Sequence, residues 1–443
     1  MLNSDIIHKN KSLQNKLLSI YDLRSSSRVN FEDLSIYKGL LNDLGNPQLK
    51  IPPTIHIAGT NGKGSTLAFI EQILKEMGKI SHKYTSPHLI ELNERIIING
   101  QQISDDILEK SLDHILTVNN GRPSTFFEII TALAFYVFSK YPADMTLLET
   151  GLGGRLDCTN HVDSPIATII SAIAIDHTEF LGNTIEKIAK EKAGIIKKET
   201  PCIISPQDKL NYDSIINPIK TKARENKAPL VQHGSEWFIE PTHEHNMHFK
   251  YKDISYELPK PLYLQGDHQI NNFGTALATI INISENNQSF LPNENQIINA
   301  LKNTKWKGRM EKIYYPDLPK NIELYFDGGH NESAAIAIKE QIRTWQKEKN
   351  EIHLILGMMK PKNPKNFIKH IIDHINSINI IEITNDNTSY SHEEITEIIN
   401  EISKINVKKT NNINELINSI ENKQKTKILI TGSFYLYNLI HNK

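Results

Sequence analysis

A lysine, a serine and three glycines lie close together in residues 59–65, Gly-Thr-Asn-Gly-Lys-Gly-Ser. A β-branched apolar run precedes them at 53–58, and apolar residues follow at helical spacing over 65–77. In a strand–loop–helix unit, the backbone N–H groups of such a loop point at a polyphosphate, with Lys63 as a point charge and the helix dipole behind them. The spacing is G-x-x-G-K-G-S, not the common G-x-x-x-x-G-K-[ST]. A glycine-rich turn without a ligand is the alternative, but these residue types favour a phosphate-binding loop.

A carboxylate, Glu149, ends a second apolar run at 145–149 and is followed by Thr-Gly-Leu-Gly-Gly-Arg. Ligands of α/β sheets bind beyond the carboxyl ends of strands. A glutamate there could simply cap a neighbouring helix. A bound polyphosphate needs a divalent cation nearby, however, and carboxylate oxygens suit Mg²⁺, so we favour a metal-binding role.

A third polar group, Asp176-His177, follows an apolar run at 167–174 and precedes a helical pattern at 184–195 that contains Lys192. The Asp-His pair is weak evidence alone, since most histidines are hydrogen-bonded structural groups. On composition alone, Lys192 is an ordinary solvated lysine. The convergence of three strand ends with polar residues makes the region a candidate site.

The elements that must position these residues alternate between strand and helix patterns, which predicts an α/β protein with mainly parallel sheets. Residues 236–258 alternate differently and predict a small antiparallel insertion. Residues 303–309 resemble a linker, after which the alternation restarts. We therefore predict a phosphate-loop ATPase domain over 1–302 and a Rossmann-like α/β domain over 303–443. The predicted strands are 53–58, 79–85, 145–149, 167–174, 202–205, 322–326, 353–356, 378–383 and 428–431, and the predicted helices include 65–77, 126–141, 184–195, 268–283, 295–301 and 332–347.

The overall composition limits which kinds of partner and compartment are expected for this protein. The chain has 443 residues, a formal net charge of −1 and two cysteines. The absence of a basic excess argues against nucleic acid as a partner. The two cysteines suit a reducing compartment, and no apolar run approaches the length of a membrane span. We expect a cytoplasmic protein without a membrane anchor, and a monomer, because the sequence has no hydrophobic heptad or evident interface motif.

Taken together, the motifs resemble the folylpolyglutamate synthase family of the Mur ligase superfamily, including its bifunctional dihydrofolate synthase form. They occur in the family's order across nearly the whole chain. The segments that carry the resemblance are 59–65, 84–89, 125–128, 149–157, 176–177 with 181–182, 191–194, 269–272, 308–309, 327–331 and 432–433.

The resemblance implies an α/β ligase in which ATP phosphorylates a substrate carboxylate and L-glutamate attacks the acyl phosphate to form an amide. The substrate is dihydropteroate, a reduced folate, or both. His330 lies beside the nucleotide and toward the acyl phosphate, so that it joins Lys63, His177 and Lys192 as a candidate catalytic residue. The implied ATP-binding residues are Gly59, Thr60, Asn61, Gly62, Lys63, Gly64, Ser65, Asn272 for adenine, Arg309 for phosphate and Asp327 for ribose or another part of the nucleotide.

The resemblance also implies two Mg²⁺ sites and admits a monovalent cation. Ser86 and Glu149 hold the first Mg²⁺, and His177 helps to hold the second. Lys192 matches a lysine that the family carbamylates, which converts its ammonium into an anionic oxygen ligand. The residues that match the pterin-binding segments are Thr125, Phe126, Phe127, Glu128, Leu156, Asp157 and Cys158.

Two other functions stay open at this stage. Another Mur ligase would add an amino acid to a cell-wall nucleotide precursor, although those enzymes use an extra N-terminal domain and the phosphate loop here begins at Gly59. A nucleotide-binding switch would instead hydrolyse ATP slowly and act through a partner protein. A switch would turn over ATP without any dependence on a pterin.

Overall fold

The computed structural model describes residues 8–25, 33–242, 245–316, 318–360, 362–383, 388–420 and 424–441. These residues form two compact units. The first contains the described residues up to Leu262 together with Gln269–Thr304, and the second contains Tyr263–His268 with the described residues from Lys305 onward. Both units combine helices with mainly parallel sheets, which confirms the predicted α/β class.

The first unit alternates helices and strands from its N-terminal part onward. Its helices are α1 (Lys11–Ser25), α2 (Ser35–Asp43), α3 (Lys63–Glu76), α4 (Asp105–Asn119), α5 (Phe126–Phe138), α6 (Thr178–Leu181), α7 (Ile185–Ala193), α8 (Tyr212–Glu225), α9 (Asp267–Ser284, which belongs to this unit from Gln269) and α10 (Glu294–Asn303). Its strands are β1 (Thr54–Ala58), β2 (Ser81–Tyr84), β3 (Ile96–Ile98), β4 (Gln101–Gln102), β5 (Met145–Glu149), β6 (Ala167–Ile170), β7 (Cys202–Ile204), β8 (Leu230–Gln232), β9 (Trp237–Pro241), β10 (Asn246–Tyr251) and β11 (Ile254–Pro259).

The main sheet has the strand order β4-β3-β2-β5-β1-β6-β7-β8. The pairs from β2 to β8 are parallel, and the β2–β3 and β3–β4 pairs are antiparallel. Strand β1 lies between β5 and β6, with Ile57 opposite Glu149 and Ala58 opposite Ile170. Since parallel strands end at the same edge, the phosphate loop after β1 and the carboxylate at the end of β5 are neighbours.

Two element boundaries differ from the sequence prediction near this edge. Helix α3 begins at Lys63, two positions before the predicted start, because Gly62 ends the loop in the left-handed conformation with φ of 89°. Strand β6 ends at Ile170 and not at residue 174. The backbone beyond it bonds to the phosphate loop, and the carbonyl oxygen of Ala172 accepts from the N–H groups of Thr60 and Asn61.

The predicted insertion is a three-stranded antiparallel sheet of order β11-β10-β9. Its inward side chains Trp237, Phe249 and Tyr251 are fully or nearly fully buried, and alternate residues of β10 face outward. This period of two is what a sheet with one covered face produces.

The second unit also combines strands and helices. Its elements are β12 (Glu311–Ile313), β13 (Ile322–Asp327), α11 (Glu332–Lys347), β14 (Glu351–Leu356), α12 (Pro364–Ile368), β15 (Ser377–Ile380), α13 (His392–Asn400), β16 (Val407–Lys409), α14 (Ile413–Ser419), β17 (Thr426–Thr431) and α15 (Tyr437–His441).

The strands of this unit form a six-stranded sheet of order β12-β13-β17-β14-β15-β16. Only the β12–β13 pair is antiparallel in this sheet. The core between the sheet and its helices is rich in isoleucine, with Ile338, Ile342, Ile378 and Ile395 nearly or fully buried.

Among the described helices of both units, none combines the length and the apolar character that crossing a membrane requires.

Candidate active site

The phosphate loop is tied to the segment that follows β6. The hydroxyl of Thr60 donates to the carbonyl oxygen of Ala174 at 3.0 Å and accepts from the Ala174 N–H at 3.0 Å. The N–H groups of Thr60 and Asn61 both donate to Ala172. The first half of the loop is therefore held by the protein, while its second half runs into the start of α3.

Two of the loop glycines are required by close contacts. A Cβ atom at Gly59 would lie 1.8 Å from the hydroxyl oxygen of Ser171, and one at Gly62 would lie 2.3 Å from Oδ1 of Asn272. Asn272 is buried, and its Nδ2 donates to Gln269 at 2.9 Å. The structure thus brings the predicted adenine contact, Asn272, against the phosphate loop.

Lys63 begins α3 and turns back over the loop. Its Nζ donates to the carbonyl oxygens of Gly59 at 3.1 Å and Thr60 at 3.3 Å, and lies 3.9 Å from Oε1 of Glu149. The other carboxylate oxygen of Glu149 accepts from the Ser86 N–H at 3.3 Å. The predicted residues Lys63, Glu149 and Ser86 therefore meet at one edge of the sheet.

The first turn of α3 contains two hydroxyls that make no hydrogen bond in the structure. The side-chain oxygens of Ser65 and Thr66 are buried and have no partner. A buried hydroxyl without a partner is costly unless a ligand completes its bonding. The Ser65 hydroxyl and the Glu149 carboxylate are oxygen donors of the kind that Mg²⁺ prefers, so the residues present fit a divalent cation beside a phosphate. Within the described part of the chain, no group of three His, Cys, Asp or Glu side chains could hold a metal ion by itself.

Lys192 lies on α7 and is almost fully buried. Its Nζ donates to the carbonyl oxygen of Gly59 at 2.9 Å. Burial lowers the pKa of Lys192 to about 7. The positive charge of Lys63 also lowers this pKa, whereas the negative charges of Asp176 and Asp157 raise it. A substantial fraction of this amine is thus uncharged near neutral pH.

The turn after β5 fixes the position of α7. The N–H of Arg155 donates to the carbonyl oxygen of Glu191 at 2.8 Å, and Nε of Arg155 donates to the Glu191 carboxylate at 3.0 Å. Glu191 precedes Lys192, so the glycine-rich turn and the lysine are positioned together.

His177 lies on an exposed turn, where it takes the left-handed conformation with φ of 50° before α6. Its N–H donates to the carboxylate of Asp176 at 2.9 Å. The hydroxyl of Thr60 bonds to Ala174, three residues before His177, so this turn follows a segment that is tied to the phosphate loop.

The predicted pterin segment begins α5. Thr125 and Glu128 form a reciprocal cap, in which each side chain accepts from the backbone N–H of the other. Burial raises the pKa of Glu128. The ring of Phe126 lies 5.3 Å from the guanidinium of the buried Arg95, and Phe127 is half-buried.

Asp157 and Cys158 have structural partners that the sequence did not indicate. The Asp157 carboxylate accepts from the N–H of Leu152 at 2.8 Å and from the N–H and hydroxyl of Thr159 at 2.9 and 2.5 Å. Burial raises the pKa of Asp157 despite these bonds. Cys158 packs in the apolar core beside α5, and Leu156 is half-buried.

The predicted nucleotide residues of the second unit lie near the C-terminal end of β13, Ile322–Asp327. The Asp327 carboxylate accepts from the N–H groups of Met310 and Gly329, both at 2.8 Å. The guanidinium of Arg309 lies 4.6 Å from the centre of the Phe434 ring. His330 lies edge-on to the same ring, and its Nδ1 is 2.9 Å from the carbonyl oxygen of Gly328.

The motifs in the sequence do not indicate a role for Phe434 or Arg95. Phe434 follows the Gly432-Ser433 pair that carries the resemblance, and Arg95 follows the 84–89 segment by six residues. An aromatic ring beside a motif has no distinctive spacing, so only the fold reveals that it contacts a candidate arginine.

Comparisons with known proteins show which family this chain is similar to. The model of the Mur ligase middle domain matches residues 57–280, and that of the dihydrofolate synthetase C-terminal domain matches residues 311–441. A probable dihydrofolate synthetase of Schizosaccharomyces pombe is 32% identical over 90% of this chain and 94% of its own length. A dihydrofolate synthase/folylpolyglutamate synthase of Bacillus subtilis is 32% identical over 92% of this chain and 93% of its own length. The structure of E. coli FolC in complex with DHPP and ADP superposes with a TM-score of 0.80 at 25% identity and covers 95% of each chain.

Proposed function

The chain belongs to the dihydrofolate synthase/folylpolyglutamate synthase family of the Mur ligase superfamily, and from this premise we propose that its principal reaction joins L-glutamate to dihydropteroate. It is an ATP-dependent ligase acting on folate-type substrates. The choice of dihydropteroate is supported by the C-terminal match to the dihydrofolate synthetase model and by the S. pombe relative, which carries that single name.

One observation carries the proposal: Lys63, Lys192 and Glu149 converge on a phosphate loop that the fold holds in place. Both lysines donate to the carbonyl oxygen of Gly59, and Lys63 lies 3.9 Å from Glu149. Phosphoryl transfer depends on positioning and charge neutralisation more than on a covalent nucleophile. A lysine pair and a carboxylate beside the start of α3 supply that equipment.

In the first step, a substrate carboxylate oxygen attacks the γ-phosphorus of ATP, the bond to the bridging oxygen breaks, and an acyl phosphate and ADP form. Lys63 leaves its backbone partners and neutralises charge on the transferred group. The N–H groups at the start of α3 hold the phosphates. For Asn272 we keep the adenine role that the family resemblance implies. For Arg309, Asp327 and His330 we keep the implied roles toward phosphate, ribose and the acyl phosphate.

A divalent cation, which we propose is Mg²⁺ at two sites, neutralises phosphate charge when bound. Glu149, Ser86 and the partnerless hydroxyl of Ser65 would hold one ion, and His177 with a carbamylated Lys192 would hold the other. Carbamylation requires an uncharged amine, and the lowered pKa of Lys192 supplies it.

In the second step, the amino group of L-glutamate attacks the acyl carbon, the nitrogen loses a proton, and phosphate departs to leave an amide. The pterin is held by the segments 125–128 and 156–158, where the half-buried Phe127 offers aromatic surface. The structural roles of Asp157 and Cys158 leave the half-buried side chains of Leu156 and Phe127 as better candidates for direct contact with the pterin.

A second activity, extension of the glutamyl tail of reduced folates, is favoured by one observation. The B. subtilis relative, which carries both activities in its name, matches this chain over nearly its whole length at the same identity as the S. pombe protein. We further propose that the enzyme acts as a monomer, which light scattering during size-exclusion chromatography tests.

The deciding experiment measures ADP release and product mass with dihydropteroate, tetrahydrofolate and a uridine-nucleotide cell-wall precursor, each with and without L-glutamate. The proposal expects dihydropteroate to gain one glutamyl residue only when ATP, Mg²⁺ and L-glutamate are present. A gain by tetrahydrofolate as well would establish the second activity. The proposal would be refuted if only the cell-wall precursor were modified. It would also be refuted if ATP turnover did not depend on any of the three substrates.

A further inference from the structure

Gln207 lies after β7, and its side-chain amide bonds to three backbone groups. Its Oε1 accepts from the N–H of Ile173 at 2.9 Å, and its Nε2 donates to the carbonyl oxygens of Ser171 at 3.2 Å and Ser205 at 3.0 Å. The amide therefore clamps residues 171–173 against the end of β7.

The clamped segment is the one that holds the phosphate loop. The N–H of Ser171 donates to the carbonyl oxygen of Ala58 at 2.8 Å, and the next residue, Ala172, accepts from Thr60 and Asn61. The Ser171 hydroxyl occupies the space where a side chain at Gly59 would lie. A displacement of residues 171–173 would thus move the loop carbonyl of Gly59 that binds Lys63 and Lys192.

The contacts of Gln207 demand an acceptor and a donor on one side chain. An amide oxygen faces one N–H group, and an amide NH₂ faces two carbonyl oxygens. Glutamine supplies both groups, whereas glutamate supplies only acceptors and methionine supplies neither. In Gln207→Glu an anionic oxygen would face two carbonyl oxygens, and in Gln207→Met the same volume would be kept without polar bonds.

We propose that Gln207 is a positioning residue for ATP, which acts by fixing residues 171–173 and through them the phosphate loop. The inference rests on the proposed function, since it takes residues 59–65 as the ATP site. Gln207 acts through residues 171–173 and makes no direct contact with the nucleotide. Its loss is expected to weaken binding of the nucleotide without a matching effect on the pterin or on glutamate.

The test compares Gln207→Met and Gln207→Glu with the parent enzyme by calorimetric titration with Mg²⁺-ADP and by steady-state kinetics. A matched control is Gln232→Met at the end of β8, where Nε2 donates to the hydroxyl of Tyr212 and not to the clamped segment. We expect the ADP Kd and the ATP KM to rise about tenfold in Gln207→Met and toward about 100-fold in Gln207→Glu, the scale of losses from small misplacements. In the Gln207 variants, the KM values for dihydropteroate and glutamate should stay within about twofold of the parent. In Gln232→Met, the ADP Kd and all KM values should stay within about twofold, as for a substitution without a special role.

The melting temperature of each variant separates positioning from general destabilisation. If Gln207→Glu does not fold, Gln207→Met alone decides. Folded Gln207→Met with a parental ADP Kd would overturn the inference, as would an equal rise in the KM values for all three substrates. Failure of the parent enzyme to bind ADP would instead refute the proposed ATP site, and the inference with it.

Discussion

Lys192 and Lys63 donate to the same carbonyl oxygen, that of Gly59, at 2.9 and 3.1 Å. Two ammonium groups on one acceptor repel each other, and Lys192 is the more deeply buried of the two. Burial, followed by the charge of Lys63, lowers the pKa of Lys192 to about 7. An ordinary lysine has a pKa of about 10.4, so the fold holds the pKa of this amine well below its usual range.

We predict that Lys192→Ala and Lys192→Arg each reduce kcat/KM by at least about 100-fold, the loss expected when an electrostatic stabiliser of the transferred group is removed. Arginine keeps the positive charge but does not lose its proton and so cannot form a carbamate. Carbon-13 NMR in labelled bicarbonate should show a carbamate signal in the parent that is absent from both variants. Added formate or acetate should restore part of the rate to Lys192→Ala by supplying a carboxylate oxygen.

Lys197 provides a matched control for this prediction. Its pKa is also lowered by burial, and its Nζ donates to a backbone carbonyl oxygen, that of Asn160, at 3.0 Å. Lys197→Ala should leave the labelled signal in place. The label should enter the parent faster at about pH 8 than at about pH 6, because the uncharged fraction of Lys192 rises through its pKa. Parental turnover in Lys192→Ala would contradict the assignment.

The phosphate loop yields a second prediction. Lys63→Ala should lower kcat/KM for ATP by at least about 100-fold, because the backbone N–H groups alone cannot neutralise the transferred charge. The control is Lys75→Ala at the exposed C-terminal end of the same helix, α3. We expect Lys75→Ala to stay within about twofold of the parent, the range of ordinary surface substitutions. Comparable rates for both variants would show that this loop is not the catalytic ATP site.

The strand and helix that flank the phosphate loop were predictable because local residue types determine them. The apolar run of β1 and the periodic residues of α3 are properties of neighbours in sequence. Strand β5 was predicted with its observed bounds, Met145–Glu149, since a short, mainly apolar run ends at a carboxylate before a glycine-rich turn. Helix α8 was not predicted, and its Pro218 lies inside the helix, where proline normally argues against one.

The contacts that shape the site depend on distant residues and were not predictable. Thr60 bonds to Ala174, which is 114 positions away along the chain. Asp157 lies in a segment that resembles a pterin-binding one, yet its carboxylate closes its own turn by bonding to Leu152 and Thr159. Motif spacing identifies which residues are characteristic of a family. It does not show whether a given side chain binds the substrate or stabilises the fold.

A third prediction concerns the aromatic support of Arg309. The ring of Phe434 lies 4.6 Å from the Arg309 guanidinium, and a Cβ atom at Gly328 would lie 2.2 Å from the same ring. Phe434→Leu should raise the ATP KM about three- to tenfold, the equivalent of a cation–π contact of roughly 0.5–1.5 kcal/mol. Phe434→Tyr keeps the ring and should retain most of the affinity.

The same contact predicts a coupling between two substitutions. Gly328→Ala should destabilise the enzyme by about 1–3 kcal/mol through overpacking against the ring. In the double variant with Phe434→Leu, the added methyl group gains space. The changes that the two substitutions cause in the unfolding free energy should therefore not be additive. Denaturant titration of the four proteins measures the coupling. Strict additivity would mean that the ring and the glycine do not constrain each other.

The last prediction concerns acid stability of the second unit. Glu323 accepts hydrogen bonds from both Lys312 and Lys427, and the Lys427 ammonium also lies over the rings of Tyr325 and Trp345. Burial opposes ionisation of Glu323, but the two lysines outweigh it and lower the pKa of Glu323 to about 2. The carboxylate is therefore stabilised in the folded state relative to the unfolded chain.

A carboxyl group with a depressed folded-state pKa stabilises the fold above its unfolded pKa, and this contribution is lost as pH falls toward the folded value. Glu323→Gln should thus lower the unfolding free energy by about 1–2 kcal/mol at neutral pH, allowing for the partial exposure of the pair. The difference from the parent should shrink as pH falls from about 4.5 toward about 2. Urea titrations across this range measure it, with Glu225→Gln in the exposed Lys222–Glu225 pair as a control that should change stability by less than about 0.5 kcal/mol. A Glu323→Gln difference that stays constant across the whole pH range would show that ionisation of Glu323 does not contribute to the stability of this unit.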